Sequence, residues 1–444
     1  MSNFTRRDLL KTLGVVTFAA AGPAGALWTG LAEAADPKYQ VKPEKGAKLR
    51  VLRWKRFVQG DEEMWLANTK KFTEKTGIEV RVDSEGWEDV RPKAAVAANV
   101  GSGPDIIVGW FDDPHQYPDK LHDLTPLANY LGAKYGGWYD ICQRYGTRDG
   151  KWIALPLGII GNLLVYRESH VKAAGFDGVP KDLDGFLKLC KAMKAKGTPA
   201  GLALGHAVGD GNDWVHWLVW THGGKMVDAK GNVVINSPET VAALEYVREL
   251  YPTFAPGTLS WQDPHNNKAF LDSQTSMTNN GISIYYAAKN STDPKLKEMA
   301  ADIGHAHFPI GPAGKLTEFM QITQAMLFKY SKFPNAAKEY LRFMWEQEQF
   351  NPWLEASIGY VSQPLKAYEK NPVWTVDPKH TPFRDVAKGL MDNGYAYKLG
   401  AASAAVMADY ILLDMVAEAA AGQQTPKAAA ERAQKRAERY YKLS

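Results

Sequence analysis

An α/β fold of two domains is predicted from the length of the chain and from an alternation of strand-like and helix-like segments. The 444 residues exceed what one hydrophobic core usually serves. Segments 49–54, 78–84 and 104–110 are rich in β-branched and aromatic residues, which is typical of strands. Between them, segments 61–77 and 88–103 carry apolar residues at helical spacing and end at glycines. Such an alternation predicts parallel strands joined by helical crossovers.

The N-terminal segment, residues 1–35, has the pattern of a removable export signal. Arg6 and Arg7 precede a long apolar run, and a small-residue triplet ends at Ala34. The stretch "TRRDLLK" resembles the twin-arginine signal of chains that cross the membrane in the folded state. We therefore expect cleavage near Ala34 or Ala35, contact with the twin-arginine export machinery, and a periplasmic protein. No Cys follows the triplet, so no lipid anchor is expected.

Composition and short motifs argue against several functional classes. The net charge is only +4, and the one basic cluster, 428–442, interleaves Glu and Ala at helical spacing; this is typical of a solvated helix face, so no nucleic-acid partner is expected. Two cysteines cannot form a four-ligand zinc site. Cys190 lies on an apolar helix face, although a disulfide with Cys142 would be allowed in an oxidising compartment. The histidines lack ligand spacing, so neither a metal nor a cofactor is expected.

The loops after the three predicted strands combine aromatic and charged residues. An open α/β sheet binds ligands beyond the carboxyl ends of its strands. The ends contribute Arg56 after the first strand, Trp87 after the second, and Trp110, Asp112 and Asp113 after the third. Flat aromatic rings suit the apolar faces of a small ligand, and charged or amide groups suit its polar groups. These residues are therefore predicted to bind a ligand. Asp113 precedes a proline, so a turn-forming role stays open for it.

Four segments resemble motifs of a known family: 101–113, 150–169, 269–281 and 307–315. They read "GSGPDIIVGWFDD", "GKWIALPLGIIGNLLVYRES", "AFLDSQTSMTNNG" and "HFPIGPAGK". Because the four motifs occur in the family's order, the chain resembles the extracellular solute-binding proteins, family 1, of ABC sugar importers. It is similar to the maltose-binding type. The resemblance covers essentially the whole mature chain.

The resemblance implies an α/β, two-lobe periplasmic-binding-protein fold of type II. Each lobe would be a mainly parallel sheet flanked by helices, with the ligand cleft between the lobes. Lobe 1 would comprise 36–156 and 304–357, and lobe 2 would comprise 157–303 and 358–444. The chain would be a monomer that captures a sugar, sugar alcohol or short oligosaccharide and delivers it to the transmembrane subunits of an ABC permease. A polyamine, a metal or another small solute stays open as the ligand, and an exported enzyme is the alternative from another class.

The second lobe is expected to contribute polar and aromatic residues from three segments. They are Asn212, Asp213, Trp214, Asn279, Asn280, Tyr285, Tyr395 and Tyr397. Trp217 and Trp220 follow Trp214 at three-residue spacing and are predicted to pack in the core. The family's third motif is followed by an aromatic residue where this chain has Ser283, and Tyr285 is close enough to substitute for it. The pair Asn279 and Asn280 precedes a glycine, so a turn is an equal alternative there.

Overall fold

Strands and helices alternate along residues 38–442, the part of the chain that the computed structural model describes. The strands are β1 (Lys48–Trp54), β2 (Glu79–Glu85), β3 (Ile106–Trp110), β4 (Thr147–Arg148), β5 (Lys151–Trp152), β6 (Leu155–Ile160), β7 (Leu163–Arg167), β8 (Met277–Asn280), β9 (Ile303–Ala306) and β10 (Gln321–Leu327). The helices of the first half are α1 (Gln59–Thr76), α2 (Val90–Val100), α3 (Thr125–Lys134), α4 (Asp140–Gly146), α5 (Glu168–Ala173), α6 (Leu183–Ala195), α7 (Asp210–Thr221) and α8 (Pro238–Leu250). Those of the second half are α9 (Asp263–Leu271), α10 (Ser283–Lys289), α11 (Pro294–Ala301), α12 (Pro334–Trp345), α13 (Gln347–Ala356), α14 (Val373–Val376), α15 (Thr381–Arg384), α16 (Ala401–Ala408), α17 (Ile411–Ala420) and α18 (Pro426–Tyr441). The predicted export signal lies outside the described residues.

The larger sheet has five strands in the order β2-β1-β3-β10-β6. β1 runs parallel to β2 and to β3, with α1 and α2 as the crossovers. This confirms the predicted alternation, and the observed bounds differ from the predicted ones by three residues or fewer. β10 is antiparallel to β3 and to β6. The start of β10 therefore lies at the same edge of the sheet as the ends of β1, β3 and β6.

The smaller sheet has the order β8-β7-β9, and both outer strands are antiparallel to β7. The prediction of a mainly parallel sheet in each lobe is therefore wrong for this sheet. Its strands have only four or five residues, and the chain between β7 and β8 is more than 100 residues long. A short buried strand has the same apolar pattern in either direction, so the sequence carries no signal for its orientation.

A two-residue link, Gly161 and Asn162, joins β6 of the larger sheet to β7 of the smaller sheet. Ile160 pairs with Gln321 on one side of the link, and Leu163 pairs with Asn280 on the other. A Cβ atom on Gly161 would lie 2.7 Å from the ring of Phe383, so a larger residue would force this ring to move. The link therefore holds the end of β6 in the larger sheet close to the start of β7 in the smaller sheet.

Helix α7 is buried along its whole length. Trp217 packs against Phe308 with ring centroids 4.8 Å apart, and Trp220 packs on Phe319 at 5.5 Å. Both tryptophans therefore belong to the core, as predicted. The hydrophobic core is continuous through the helices around both sheets.

Both cysteines, Cys142 and Cys190, are buried and free. Cys190 lies on the buried face of α6, as its spacing predicts, and the two thiols do not form a disulfide. Along residues 38–442 no helix has both the length and the hydropathy that crossing a bilayer requires.

Candidate ligand-binding cleft

A narrow cleft lies where the facing edges of the two sheets meet. Its lining residues come from both sheets, from α7, α9 and α10, and from the loop after α13. They are Phe57, Trp87, Ile160, Asn162, Asp210, Asp213, Asp263, Asn267, Asn280, Gly281, Ser283, Gln321 and Tyr360. The cleft is nearly closed, because the space inside it has room for little more than one water molecule.

Aromatic residues of the larger sheet form one wall of the cleft. Trp87 stacks on Trp110 with ring centroids 4.2 Å apart and an interplanar angle of 27°. Phe57 meets the Trp87 ring edge-on at 4.9 Å, and Trp54 supports both indoles from within the core. Because Trp110 is fully buried behind it, Trp87 presents a rigid aromatic surface. Such a surface suits the apolar face of a sugar ring.

Three buried carboxylates form a second wall of the cleft, the acidic wall. Asp210 and Asp213 lie on the first turn of α7, and one amide, Asn162 Nδ2, donates to Asp210 Oδ1 and to Asp213 Oδ2, both at 2.8 Å. Asn266 Nδ2 also donates to Asp210, at 2.7 Å. Asp263, the first residue of α9, accepts from the backbone N–H of Asp210 at 2.7 Å and from that of Gly209 at 3.1 Å. Neutral donors alone therefore hold these carboxylates in place.

The surroundings of the three carboxylates favour their protonated forms. Burial raises the pKa of Asp210 well above its usual value, and the neighbouring charge of Asp263 raises it further. Burial likewise raises the pKa of Asp213, with a contribution from Asp210. Burial raises the pKa of Asp263 to about 7, although the N–H groups of Asp210 and Gly209 oppose this rise. A bound group that offers protons or positive charge would relieve the cost of ionising them.

Three lining side chains have a buried polar atom without a hydrogen-bond partner among residues 38–442. They are the acceptor Asp213 Oδ1 and the donors Trp87 Nε1 and Gln321 Nε2. Unpartnered buried polar atoms are uncommon in folded proteins and call for a physical explanation. All three side chains line one cleft, so a ligand with both donors and acceptors that reached these atoms would satisfy them together.

Three of the predicted site residues line this cleft: Trp87, Asp213 and Asn280. Two others lie directly behind its surface. Trp110 supports Trp87, and Asn279 Nδ2 donates to the backbone oxygen of Asp210 at 2.8 Å. The third predicted strand and the third family motif therefore lie at the cleft. Trp110 and Asn279, however, stand behind its lining and would not contact a ligand.

The acidic pair after β3 turns away from the cleft. Asp113 Oδ1 accepts from Arg91 Nε at 2.7 Å, and its other oxygen accepts from the Trp110 N–H at 3.1 Å. The bond from the Trp110 N–H closes the turn that follows β3. It corresponds to the turn-forming role that stayed open for Asp113 in the sequence. Asp112 Oδ2 accepts from Asn393 Nδ2 at 2.7 Å. Both carboxylates therefore fasten the loop after β3 to neighbouring segments.

The remaining predicted residues lie outside the cleft lining. Arg56 is exposed and faces Glu62 at 3.5 Å. Trp214 is fully buried and donates from Nε1 to Ala203 O at 2.7 Å. Tyr285 donates to Asp377 at 2.6 Å. Asn212 and Tyr395 border a separate apolar pocket beside α7, and Tyr397 is exposed.

Several cleft residues were not predicted from the sequence: Phe57, Asn162, Asp210, Asp263, Gln321 and Tyr360. Phe57 directly follows the predicted residue Arg56, and Asp210 lies two residues before the predicted Asn212. Asn162 lies in the second family motif. Asp263 precedes a proline in a polar stretch and has no local signal. It enters the cleft because α9 begins beside the first turn of α7, as its hydrogen bond to the Asp210 N–H shows.

Among residues 38–442, no group of three or more His, Cys, Asp or Glu side chains is arranged to hold a metal ion. In the acidic wall, most carboxylate oxygens face amide or backbone N–H donors instead.

A cleft between two facing sheets, with an aromatic wall and an acidic wall, defines a two-lobe binding protein. The family model for bacterial extracellular solute-binding proteins matches residues 67–382, so the chain belongs to that family. The sequence is 27% identical to a probable ABC transporter-binding protein of Deinococcus radiodurans, over 57% of this chain and 60% of the relative. It is 25% identical to the diacetylchitobiose binding protein DasA of Streptomyces coelicolor, over 63% and 65%. The chain thus spans about 60 to 65% of the length of these curated relatives.

Solved structures show the same architecture. Maltose-bound MalE3 of T. maritima superposes with a TM-score of 0.76 at 20% identity, covering 88% of this chain and 99% of that protein. An ABC transporter solute-binding protein of Agrobacterium radiobacter K84 in complex with ribitol superposes with a TM-score of 0.75 at 18% identity, covering 91% and 100%. The fold is therefore the predicted type II periplasmic-binding-protein fold.

Proposed function

We propose that this protein is the solute-binding component of an ABC importer and that it captures a carbohydrate-like solute: a sugar, a sugar alcohol or a short oligosaccharide. The observation that carries the proposal is the pairing of a rigid Trp87 face with unpartnered donors and acceptors across a narrow cleft. A polyol offers apolar C–H surface on one side and hydroxyls that both donate and accept on the other. Similarity to proteins that bind maltose, ribitol or diacetylchitobiose supports this ligand class.

Capture requires the two walls of the cleft to separate. The cleft is so narrow that it admits little more than one water molecule. We propose that one lobe carries the larger sheet, that the other carries the smaller sheet, and that they open about the link at Gly161 and Asn162. A solute that contacts Trp87 and Asp213 at once can do so only when the lobes are closed, so binding shifts the population toward the closed form.

The cellular setting of the proposal rests on the N-terminal sequence and on the family. We propose export through the twin-arginine machinery, removal of residues 1–34 or 1–35, and a free monomer in the periplasm that docks on the permease transmembrane subunits. The protein would bind and release its solute without chemical change, so the three carboxylates of the cleft would have no catalytic role.

Binding of carbohydrates to the purified mature chain tests the proposal. A solute that binds only the folded state raises the thermal transition, by about 4 kcal/mol of added stability at a thousandfold excess over Kd. We would measure calorimetric affinities for monosaccharides, disaccharides, sugar alcohols, polyamines and metal ions. A sugar or polyol that binds while polyamines and metals do not is the expected result. Binding of a metal or polyamine alone would overturn the proposed ligand class.

Replacing Trp87 by Ala then tests the location of the site. Loss of a central aromatic contact costs about 2 kcal/mol, which corresponds to about thirtyfold weaker binding. Trp87→Phe should lose less because it keeps an aromatic face, and Tyr397→Ala, at an exposed aromatic outside the cleft, is the control. Circular dichroism must show each variant to be folded. Unchanged affinity in a folded Trp87→Ala variant would mean that the solute binds elsewhere.

A further inference from the structure

Three carboxyl groups line the cleft, and no lining side chain balances the negative charge that they carry when ionised. The lining includes Asp210, Asp213 and Asp263, and none of the lining residues is Lys, Arg or His. Arg53 and Arg91 do not line the cleft and pair with other carboxylates: Arg53 donates to both oxygens of Asp61 at 2.6 and 2.7 Å, and Arg91 pairs with Asp113. Buried carboxylates in folded proteins are normally paired with a cation or bound to a metal.

The amide donors of Asn162 and Asn266 beside the acidic wall are engaged. Both contacts of the Asn162 amide nitrogen go to carboxylates, and Asp210 takes a further amide from Asn266. Asp263 is held by backbone N–H groups. The acceptor left over is Asp213 Oδ1, on a side chain that is 1% exposed and has no hydrogen-bond partner within residues 38–442. This atom marks the position at which a ligand group must donate.

We infer that the solute carries a protonated amine, placed against Asp213 and within the field of Asp210 and Asp263, as in an amino sugar or an amino polyol. The inference rests on the proposed function and narrows its ligand class. A neutral hydroxyl would satisfy Asp213 Oδ1 but would not supply the positive charge that offsets the cost of ionising the three carboxyl groups. An ammonium group supplies up to three N–H donors and a positive charge at one position.

The aromatic wall is compatible with the same ligand. Trp87 lies across the cleft from the acids with Phe57 against its ring. Aromatic faces attract ammonium groups and the polarised C–H groups beside them, while Trp87 Nε1 and Gln321 Nε2 remain as donors for ring oxygens or hydroxyls. A pure polyamine would leave these two donors without acceptors. We therefore infer a ligand that carries both an amine and hydroxyls.

Ligand pairs that differ by one amine in place of one hydroxyl test the inference. We would measure calorimetric affinities, at pH 7, for D-glucosamine and D-glucose, for D-galactosamine and D-galactose, and for D-glucamine and D-glucitol, together with N-acetyl-D-glucosamine and spermidine. In at least one pair we expect the amine to bind tenfold or more tightly than its neutral partner. The N-acetyl form, which has lost the charge, should rank with the neutral sugar.

The variant Asp213→Asn links this preference to the acidic wall. It keeps the shape of the side chain and removes one charge, so the ratio between the affinity of the amine and that of its neutral partner should fall at least tenfold. Asp149→Asn makes the same chemical change at a side chain that is 88% exposed and should have no effect. If Asp213→Asn does not fold, Asp263→Asn serves the same purpose.

The possible outcomes separate this inference from the proposed function. Neutral sugars that bind as well as their amines, or an amine preference that survives Asp213→Asn and Asp263→Asn, would overturn the inference and leave a carbohydrate-binding protein. Binding of spermidine alone would overturn both. Binding of no compound in the set would overturn the inference and leave the proposed function to the screen of disaccharides and other solutes.

Discussion

Replacing Asp112 by Asn should remove one pH-dependent contribution to stability. The Asp112 carboxyl is buried, and its Oδ2 accepts hydrogen bonds from Asn393 Nδ2 at 2.7 Å and from Ser403 Oγ at 2.8 Å. Burial raises its pKa from 3.8 to about 7, against the opposing effect of Asn393 and Ser403. An Asn at this position keeps an oxygen for both donors and cannot titrate.

The sign of the effect follows from the direction of the pKa shift. Because the pKa of Asp112 is higher in the folded state than in the unfolded state, the folded state binds more protons between about pH 4 and pH 7. The contribution of Asp112 to the free energy of unfolding therefore falls as the pH rises through this window. For a shift from 3.8 to about 7, the fall between pH 4.5 and pH 7.5 is about 3 kcal/mol.

Urea denaturation at the two pH values measures this contribution. The free energy of unfolding of the variant minus that of the wild type should rise by about 3 kcal/mol from pH 4.5 to pH 7.5. Taking this difference cancels the titration of all other groups that the substitution leaves unchanged. Asp149→Asn, at an exposed carboxylate, is the matched control and should show no such rise. A difference that changes by less than about 0.5 kcal/mol would refute the link between burial and the raised pKa of Asp112.

Two further predictions concern the support of the cleft and the export of the chain. Trp110→Ala should lower the free energy of unfolding by about 3 to 5 kcal/mol, because it opens a cavity at a fully buried indole. The same variant should weaken solute binding, because Trp87 loses its support. Wild-type thermal stability of the variant would show that the packing around this indole relaxes fully. Lysines in place of Arg6 and Arg7 should leave the precursor in the cytoplasm, as measured by fractionation and immunoblotting, whereas normal export would remove the twin-arginine assignment.

The first part of the fold could be predicted from the sequence because its signals are local. Strands β1 to β3 and the helices between them show strand-like and helical patterns in order, and consecutive elements of this kind form parallel neighbours. The smaller sheet could not be predicted in the same way. Its strands come together from positions more than 100 residues apart, and their short apolar runs do not indicate which strand pairs with which or in what direction.

The candidate site shows the same division between local and long-range information. Trp87 follows β2 directly and lies in the cleft, as the position of ligand loops in α/β sheets predicts. Asp112 follows β3 equally directly, but it turns to Asn393, which is 281 positions later in the chain. Asp263 joins the acidic wall because α9 begins beside α7. The sequence indicates which loops reach the edge of the sheet, but the direction of each side chain depends on segments that fold against that loop from far away.

Asn162 belongs both to the short link between the sheets and to the acidic wall of the cleft. Under the proposed opening of the lobes about this link, a substitution at Asn162 would change two properties at once: the donors to the acidic wall and the coupling between the two lobes. Variants at Asn162 that are selected for tighter binding would therefore also differ in the rate at which they release the solute. Engineering of a solute sensor from this scaffold would do better to vary Trp87 or Gln321, which face the cleft without forming part of the link.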